Sequence, residues 1–290
     1  MTRKARKLKN HIAFRSTVYG LVLFSSFVPI AALYAAPDAG IIIQRSVDAL
    51  KSDWQAEPEY DHLERDVKNG TSRTYRVVMI LGSPYRRMES VNGTPLSPEY
   101  QQEEQRKMDA AIAARCGESK LQTRRRIENY NKGRQRDHLL MQEMTKAFVF
   151  DVVGETNVNG RDAWHLRALP KPGYQPPGKE AKALTGMEGE LWIDKDTFQW
   201  IKVVAQVIHP VSIDGLLARV EPGTRFRLVQ APVAGGAWFP SEFSFTSKVR
   251  VLSMIEHNLT DDETYSDYQA ADSVKIASCP TGARGGNAGL

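Results

Sequence analysis

Apolar and polar positions along this chain alternate mostly with the period of a strand, and three stretches read as helix instead, one from its apolar spacing and two from cap and composition. The first is Ile41–Trp54, where Ile42, Ile43, Val47 and Leu50 share one face that Trp54 continues. Period two then sets in, and it predicts strands over Tyr60–Val67, Arg73–Leu81 and Tyr85–Val91. Asn69-Gly70 and Gly82-Ser83-Pro84 mark the bends between them, and Asn92-Gly93 follows the third strand. Asn-Gly supplies the positive φ angles of tight hairpin turns. Asn69, Asn92 and Asn258 also begin N-x-Thr glycosylation sequences, but turn chemistry accounts for the first two. Ser97-Pro98-Glu99 then opens a helix with a capping hydroxyl, proline at the first position and an acidic first turn. Glu99–Arg115 and Ser119–Ala147 are helical in character, with Gly117 as the break between them.

From Phe148 onward the alternation returns and predicts antiparallel strands. Asn159-Gly160 and Lys195-Asp196-Thr197 read as turns, and Lys171–Thr185 as a Pro/Gly/Lys loop. Glu190–Asp194, Gln199–Ile208, Thr224–Gln230, Phe239–Val251 and Met254–Gln269 read as strands, with Ile201, Val203, Ala205 and Val207 on one face. A long run of strands with one apolar face requires a cover. The pattern predicts a mainly β fold, an open antiparallel half-barrel under a helical lid. It does not separate that fold from a filled sandwich with accessory helices. In the half-barrel, the apolar strand phase places Val77, Met79, Leu81, Phe148, Phe150, Trp164 and Leu166 toward a cavity. It places Ile201, Val203, Phe226, Leu228, Phe243 and Phe245 there as well, with Met108, Ile112, Leu140 and Met144 facing them from the lid. Ordinary core packing is the alternative for each.

The amino terminus changes the compartment. Arg3, Lys4, Arg6, Lys7, Lys9 and Arg15 precede an apolar run over Val18–Ala36 that ends in Leu-Tyr-Ala-Ala before Pro37. This is the form of an export signal, with cleavage expected after Ala35; a retained membrane anchor is the alternative. A single domain over residues 36–281 follows, with a basic helical segment at 97–147 and a flexible tail at 282–290. The full chain has 39 basic and 34 acidic residues. Without the six basic residues of the leader the balance is slightly acidic, which removes the compositional case for nucleic acid. Ten basic against three acidic residues within Arg106–Arg136 form either a patch for acidic partners or a solvated helical face. Cys116 and Cys279 either pair in an oxidising compartment or stay separate.

Catalytic signatures are missing from the sequence: it contains no HExxH, GxSxG, P-loop or dinucleotide-binding glycine pattern. The histidines show no metal-ligand spacing, and neither a metal nor a cofactor is expected. Glu190, Asp194 and Asp196 belong to a hairpin more readily than to an acid/base pair, and Asp261-Asp262-Glu263 reads as a polar turn in preference to a weak calcium site.

Three segments carry a resemblance. Val158–Leu166 leads into Pro170-Lys171-Pro172; Gly189-Glu190-Leu191-Trp192-Ile193-Asp194-Lys195-Asp196 precedes the strand Trp200–Val207; and Gly236-Ala237-Trp238-Phe239-Pro240-Ser241 opens a later strand. In that order they resemble the outer-membrane lipoprotein-sorting (LolA/LolB-like) superfamily, most closely over Phe148–Ser247. The resemblance implies an unclosed barrel whose apolar face receives acyl chains of lipids or lipoproteins in the periplasm. It also implies a non-enzymatic carrier without cofactors, working as a monomer, with a membrane-bound donor or acceptor protein as a further partner. Related folds act as envelope-stress regulators that bind another protein, and that is the alternative function. The basic segment Ser97–Ala147 departs from the family's lid.

Overall fold

A computed structural model describes residues 38–212, 218–251, 255–271 and 279. The leader and the tail lie outside the described residues, so those two expectations have no structural counterpart. Among the described residues, no helix is long and apolar enough to cross a membrane.

Helix α1 (Ala39–Ala56) starts at Asp38, whose carboxylate accepts from Gly40 N. A 3-10 turn leads into the meander β1 (Tyr60–Lys68), β2 (Thr71–Ile80), β3 (Ser83–Val91) and the short β4 (Thr94–Pro95). Two helices follow, α2 (Pro98–Cys116) and α3 (Lys120–Ala147). Then come β5 (Phe148–Val158), β6 (Arg161–Pro170), the single turn α4 (Lys179–Lys182), β7 (Met187–Asp194) and β8 (Trp200–Val207). Two short strands, β9 (Val211–Ser212) and β10 (Ala218–Val220), precede β11 (Arg225–Pro232), β12 (Trp238–Val251) and β13 (Ile255–Ala270).

All pairings are antiparallel, in the order β4-β3-β2-β1-β13-β12-β11-β8-β7-β6-β5, with β9 and β10 attached beside β12. The described sheet does not close: β4 and β5 are its two edges. Helices α1 and α3 pack on one face of it, which is the open half-barrel with a helical cover that the pattern predicts.

Hairpin geometry follows the sequence. Asn69-Gly70, Asn92-Gly93 and Asn159-Gly160 all have positive φ at both residues. The β2–β3 turn differs from the expected one. It is Leu81-Gly82, both at positive φ, and Ser83 and Pro84 already belong to β3. Leu81 is therefore a turn residue and takes no position on the strand face.

Further local readings change. The stretch read as a loop, Lys171–Thr185, contains α4 and a 3-10 turn over Ala183–Gly186. Asp261-Asp262-Glu263 lies inside β13, where Asp261 faces Phe245 and Glu263 faces Phe243, so it is no turn. The Ser97 hydroxyl donates to the Glu99 carboxylate (2.7 Å) and caps no backbone N–H. The capping box at the helices is instead at Ser119 and Gln122, which opens α3.

Three arginines of the basic helices act as fasteners. Arg115 Nη1 and Nη2 donate to the carbonyls of Ile80, Ser83 and Pro84 at 2.8–3.1 Å. Arg126 binds Glu118, the Leu81 carbonyl and the Ser83 hydroxyl. Arg134 pairs with Glu57 and donates to the Trp54 carbonyl, tying α3 to the end of α1. A disulfide joins Cys116, at the end of α2, to Cys279.

Candidate functional site

Two rows of side chains cross the covered face. Phe150, Ala168, Gly189, Ala205, Phe226 and Phe245 stand side by side from β5 to β12. Beside them run Val152, Leu166, Leu191, Val203, Leu228 and Phe243. The first row is small in the middle and aromatic at its ends, and the hollow of the covered face lies toward the Phe226 and Phe245 end, away from the small residues. Gly189 is required for close approach: a Cβ would stand 2.8 Å from the Val204 carbonyl oxygen and 3.1 Å from Ala205 Cβ. Both rows turn acidic on β13, at Asp261 and Glu263.

Over the β8–β12 part of this face lies a cavity of about 620 Å3. Phe226, Leu228, Phe243 and Phe245 form its sheet wall, and Leu140, Met141 and Met144 of α3 its roof. Leu184 and Met187 contribute from the 3-10 turn and the start of β7. A small void of about 20 Å3 beside it is lined by Phe148, Phe150 and Val203. Helix α1 seals the core with buried Ile42, Ile43 and Leu50, and it is held to the sheet by a hydrogen bond from Trp200 Nε1 to Ser46 Oγ (3.0 Å).

The structure thus brings together Phe226, Leu228, Phe243, Phe245, Leu140 and Met144 of the residues expected at the cavity. Trp164 and Leu166 are buried in the packed core. Ile201 leaves the row. The β7–β8 register shifts between Trp192 and Ile193, so Ile201 is the extra residue of a bulge. Trp200 takes its place in the main core, and Ile201 packs with Ala163 and Trp238. Val77, Met79 and Leu81 lie on β2 and its turn, in the other half of the sheet, and do not line the cavity. Met108 and Ile112 do not line it either, because α2 packs on β3 and away from the hollow. Sequence reasoning missed Met141, Leu184, Met187 and Trp200. Leu184 lies inside a stretch read as loop and Met187 just beyond it, and Trp200 needs the bulge to face inward.

The carboxylates considered for catalysis have separate structural duties. Asp194, 1% exposed, accepts from Arg161 Nε and Nη2. It also accepts from Thr197 N and Oγ1, pinning the β7–β8 turn, and its pKa falls below the usual range because those bonds outweigh burial. Glu190 is half-exposed and bonds His165, which stacks on Trp192. Among the described residues, Asp66, Asp261 and Glu263 bring their ligand atoms within 4.8 Å of one another. Lys68 Nζ already stands between the first two, 3.3 Å from Asp66 Oδ2 and 3.1 Å from Asp261 Oδ2. Further along the inner face, His62 stacks with Tyr268, and burial together with the nearby Arg76 and Arg86 lowers its pKa to about 4.

The sequence matches no family model and no curated protein. Several solved structures are similar to it. A domain described as an outer membrane lipoprotein-sorting protein, from Vibrio parahaemolyticus, is 10% identical with a TM-score of 0.31, covering 78% of this chain and 92% of that one. A LolA superfamily protein from Nitrosomonas europaea is 8% identical, TM-score 0.31, covering 82% and 95%. The Pseudomonas aeruginosa MucA/MucB complex structure matches at 12% identity and TM-score 0.20, covering 80% and 96%. At these values the likeness carries no argument about function, and the reading below rests on the cavity.

Proposed function

We propose that this chain is a periplasmic binding protein or carrier for lipid or acylated lipoprotein, holding acyl chains in the hollow of the sheet without converting them chemically. The observation that carries this reading is the 620 Å3 apolar cavity between α3 and β11–β12. Its volume falls within the ~300–1,000 Å3 usual for ligand sites. Water filling it would face phenylalanine, leucine and methionine with few polar partners. An acyl chain satisfies such a wall, since each buried methylene contributes about 0.8 kcal/mol. Holding it needs no reactive group.

The test is native purification of the exported protein followed by lipid mass spectrometry, together with uptake of the neutral fluorophore N-phenyl-1-naphthylamine. Stoichiometric lipid, or uptake that falls at least tenfold in Phe245→Glu, is expected. Phe245 is suited to the purpose because it is only half-buried, whereas Val203 is 2% exposed and a charge there would unfold the core. An empty protein that also refuses the fluorophore overturns the carrier reading and favours a protein-binding regulator.

A further inference from the structure

The fold uses the ten cations between Arg106 and Arg136 unequally. Arg115, Arg126 and Arg134 are fastened to the carbonyls and carboxylates described above. Arg106 and Lys107 pair with Glu103 and Glu104 along α2, and Arg136 also has a partner. The other four, Lys120, Arg124, Arg125 and Lys132, all belong to α3 and are exposed. Their side chains make no hydrogen bond or ion pair with any described residue. Over residues 120–136 a single acidic residue, Glu128, accompanies them.

Helical spacing gathers these groups on one side. Leu121, Arg125, Lys132 and Leu139 stand four, seven and seven residues apart, so they follow one line along α3. Its two leucines are 52% and 57% exposed. The opposite side carries Ile127, Arg134 and Met141, which meet Gly82, Glu57 and the apolar cavity. From leucine to leucine the exposed side runs about 27 Å at 1.5 Å per residue. None of its residues lines the cavity or the void beside it.

Unpaired cations along an exposed ridge fit an anionic surface. Two observations favour a lipid bilayer over an acidic protein. Exposed leucines bracket the cations, and a basic helix face with apolar margins suits the headgroup boundary, where leucines and the stems of lysine and arginine meet acyl chains while the charges meet phosphates. The same helix roofs the cavity, with Leu140 of the roof directly following exposed Leu139.

We propose that the exposed side of α3 docks the protein on an anionic lipid bilayer, with Lys120, Arg124, Arg125 and Lys132 against headgroup phosphates and Leu121 and Leu139 in the headgroup boundary. This docking goes beyond the carrier reading and stands without it. Where both hold, it sets the roof of the cavity against the bilayer that supplies or receives the lipid.

The experiment is sedimentation of the exported protein with vesicles of phosphatidylcholine alone or mixed equally with phosphatidylglycerol, in 0.05 M salt. Binding to the anionic vesicles should be at least tenfold tighter and should fall at least tenfold in 0.5 M salt, where charges are screened within a few ångströms. A cation near an anionic surface contributes roughly fivefold in affinity. The triple variant Arg124→Gln, Arg125→Gln, Lys132→Gln should therefore bind those vesicles at least tenfold more weakly. Its urea midpoint and fluorophore uptake should be unchanged, because none of the three is bonded to the fold. The control Arg65→Gln, Lys171→Gln, Arg219→Gln removes the same charge at other exposed positions and should bind within twofold of wild type. No preference for anionic vesicles, a preference indifferent to salt, or an equal loss in both triple variants overturns the docking face. Retention on immobilised polyglutamate without vesicle binding assigns the strip to an acidic protein and overturns it as well. Fluorophore uptake tests the cavity separately, so either reading can fail while the other stands.

Discussion

At His62 the fold suppresses a charge that the unfolded chain takes up just below neutral pH. Burial and the two flanking arginines lower its pKa to about 4, against 6.5 in the unfolded chain. As pH falls through 6.5, the unfolded state binds the proton first, so stability declines from there down to about pH 4 and is full above 6.5. The expected loss by pH 5 is about 2 kcal/mol at 1.36 kcal/mol per pK unit. Urea unfolding at pH 7.5 and pH 5 checks it, and His62→Gln should flatten the dependence; an unchanged slope in that variant would assign the pH effect to other groups. Neighbouring residues differ in how readily the sequence shows their role. Asp194 was legible as a hairpin residue because its bonds to Thr197 are local. Its partner Arg161 was not, because that contact joins β6 to β7 across the sheet. Asp53 was equally silent, since only the meeting of α1 with β12 gives it a buried setting.

Among the elements, the α2–α3 pair depends on arginine as much as on apolar packing. Arg115 satisfies three carbonyls around the β2–β3 turn, and hydrogen bonds to charged groups are worth about 1.5–3 kcal/mol. Arg115→Met retains the stem and removes the donors. It should cost at least about 2 kcal/mol and raise amide exchange over Leu81–Pro84 and the end of α2, with fluorophore uptake retained because α2 does not roof the cavity. Unaltered exchange at that turn would show the bonds to be dispensable. The first helix was visible in the spacing of its apolar residues and the other two in their composition and in the Ser97-Pro98-Glu99 start, but the division of labour among them was not. Periodicity marks which face of a helix is apolar and leaves open which surface it meets. Met108 and Ile112 lie on α2, which packs on β3, whereas Leu140 and Met144, one helix later, reach the hollow.

For the whole molecule, one long-range link joins the two end regions of the chain and a second ties the carboxyl-terminal region to the middle. Strand β1 pairs with β13, setting Tyr60 beside Ala270 and joining the first meander to the last hairpin. The disulfide between Cys116 and Cys279 spans 163 residues. Closing a loop of that length restricts the unfolded chain, so the double variant Cys116→Ser, Cys279→Ser should lose roughly 2–4 kcal/mol in urea unfolding. Since neither cysteine lines the cavity, fluorophore affinity should change less than twofold. A loss of uptake in that variant would instead show that the link holds the lid in place. The sequence by itself determined the strand phases, the Asn-Gly hairpins and the helical stretches, because side-chain period and turn conformation depend on residues a few positions apart. The tertiary structure alone decided which helix roofs the hollow, that a bulge turns Trp200 inward and Ile201 away, that β13 pairs with β1, and that the buried Asp53 carboxylate meets Trp238 N. Those features arise where distant segments meet, and neither period nor spacing encodes which faces come together.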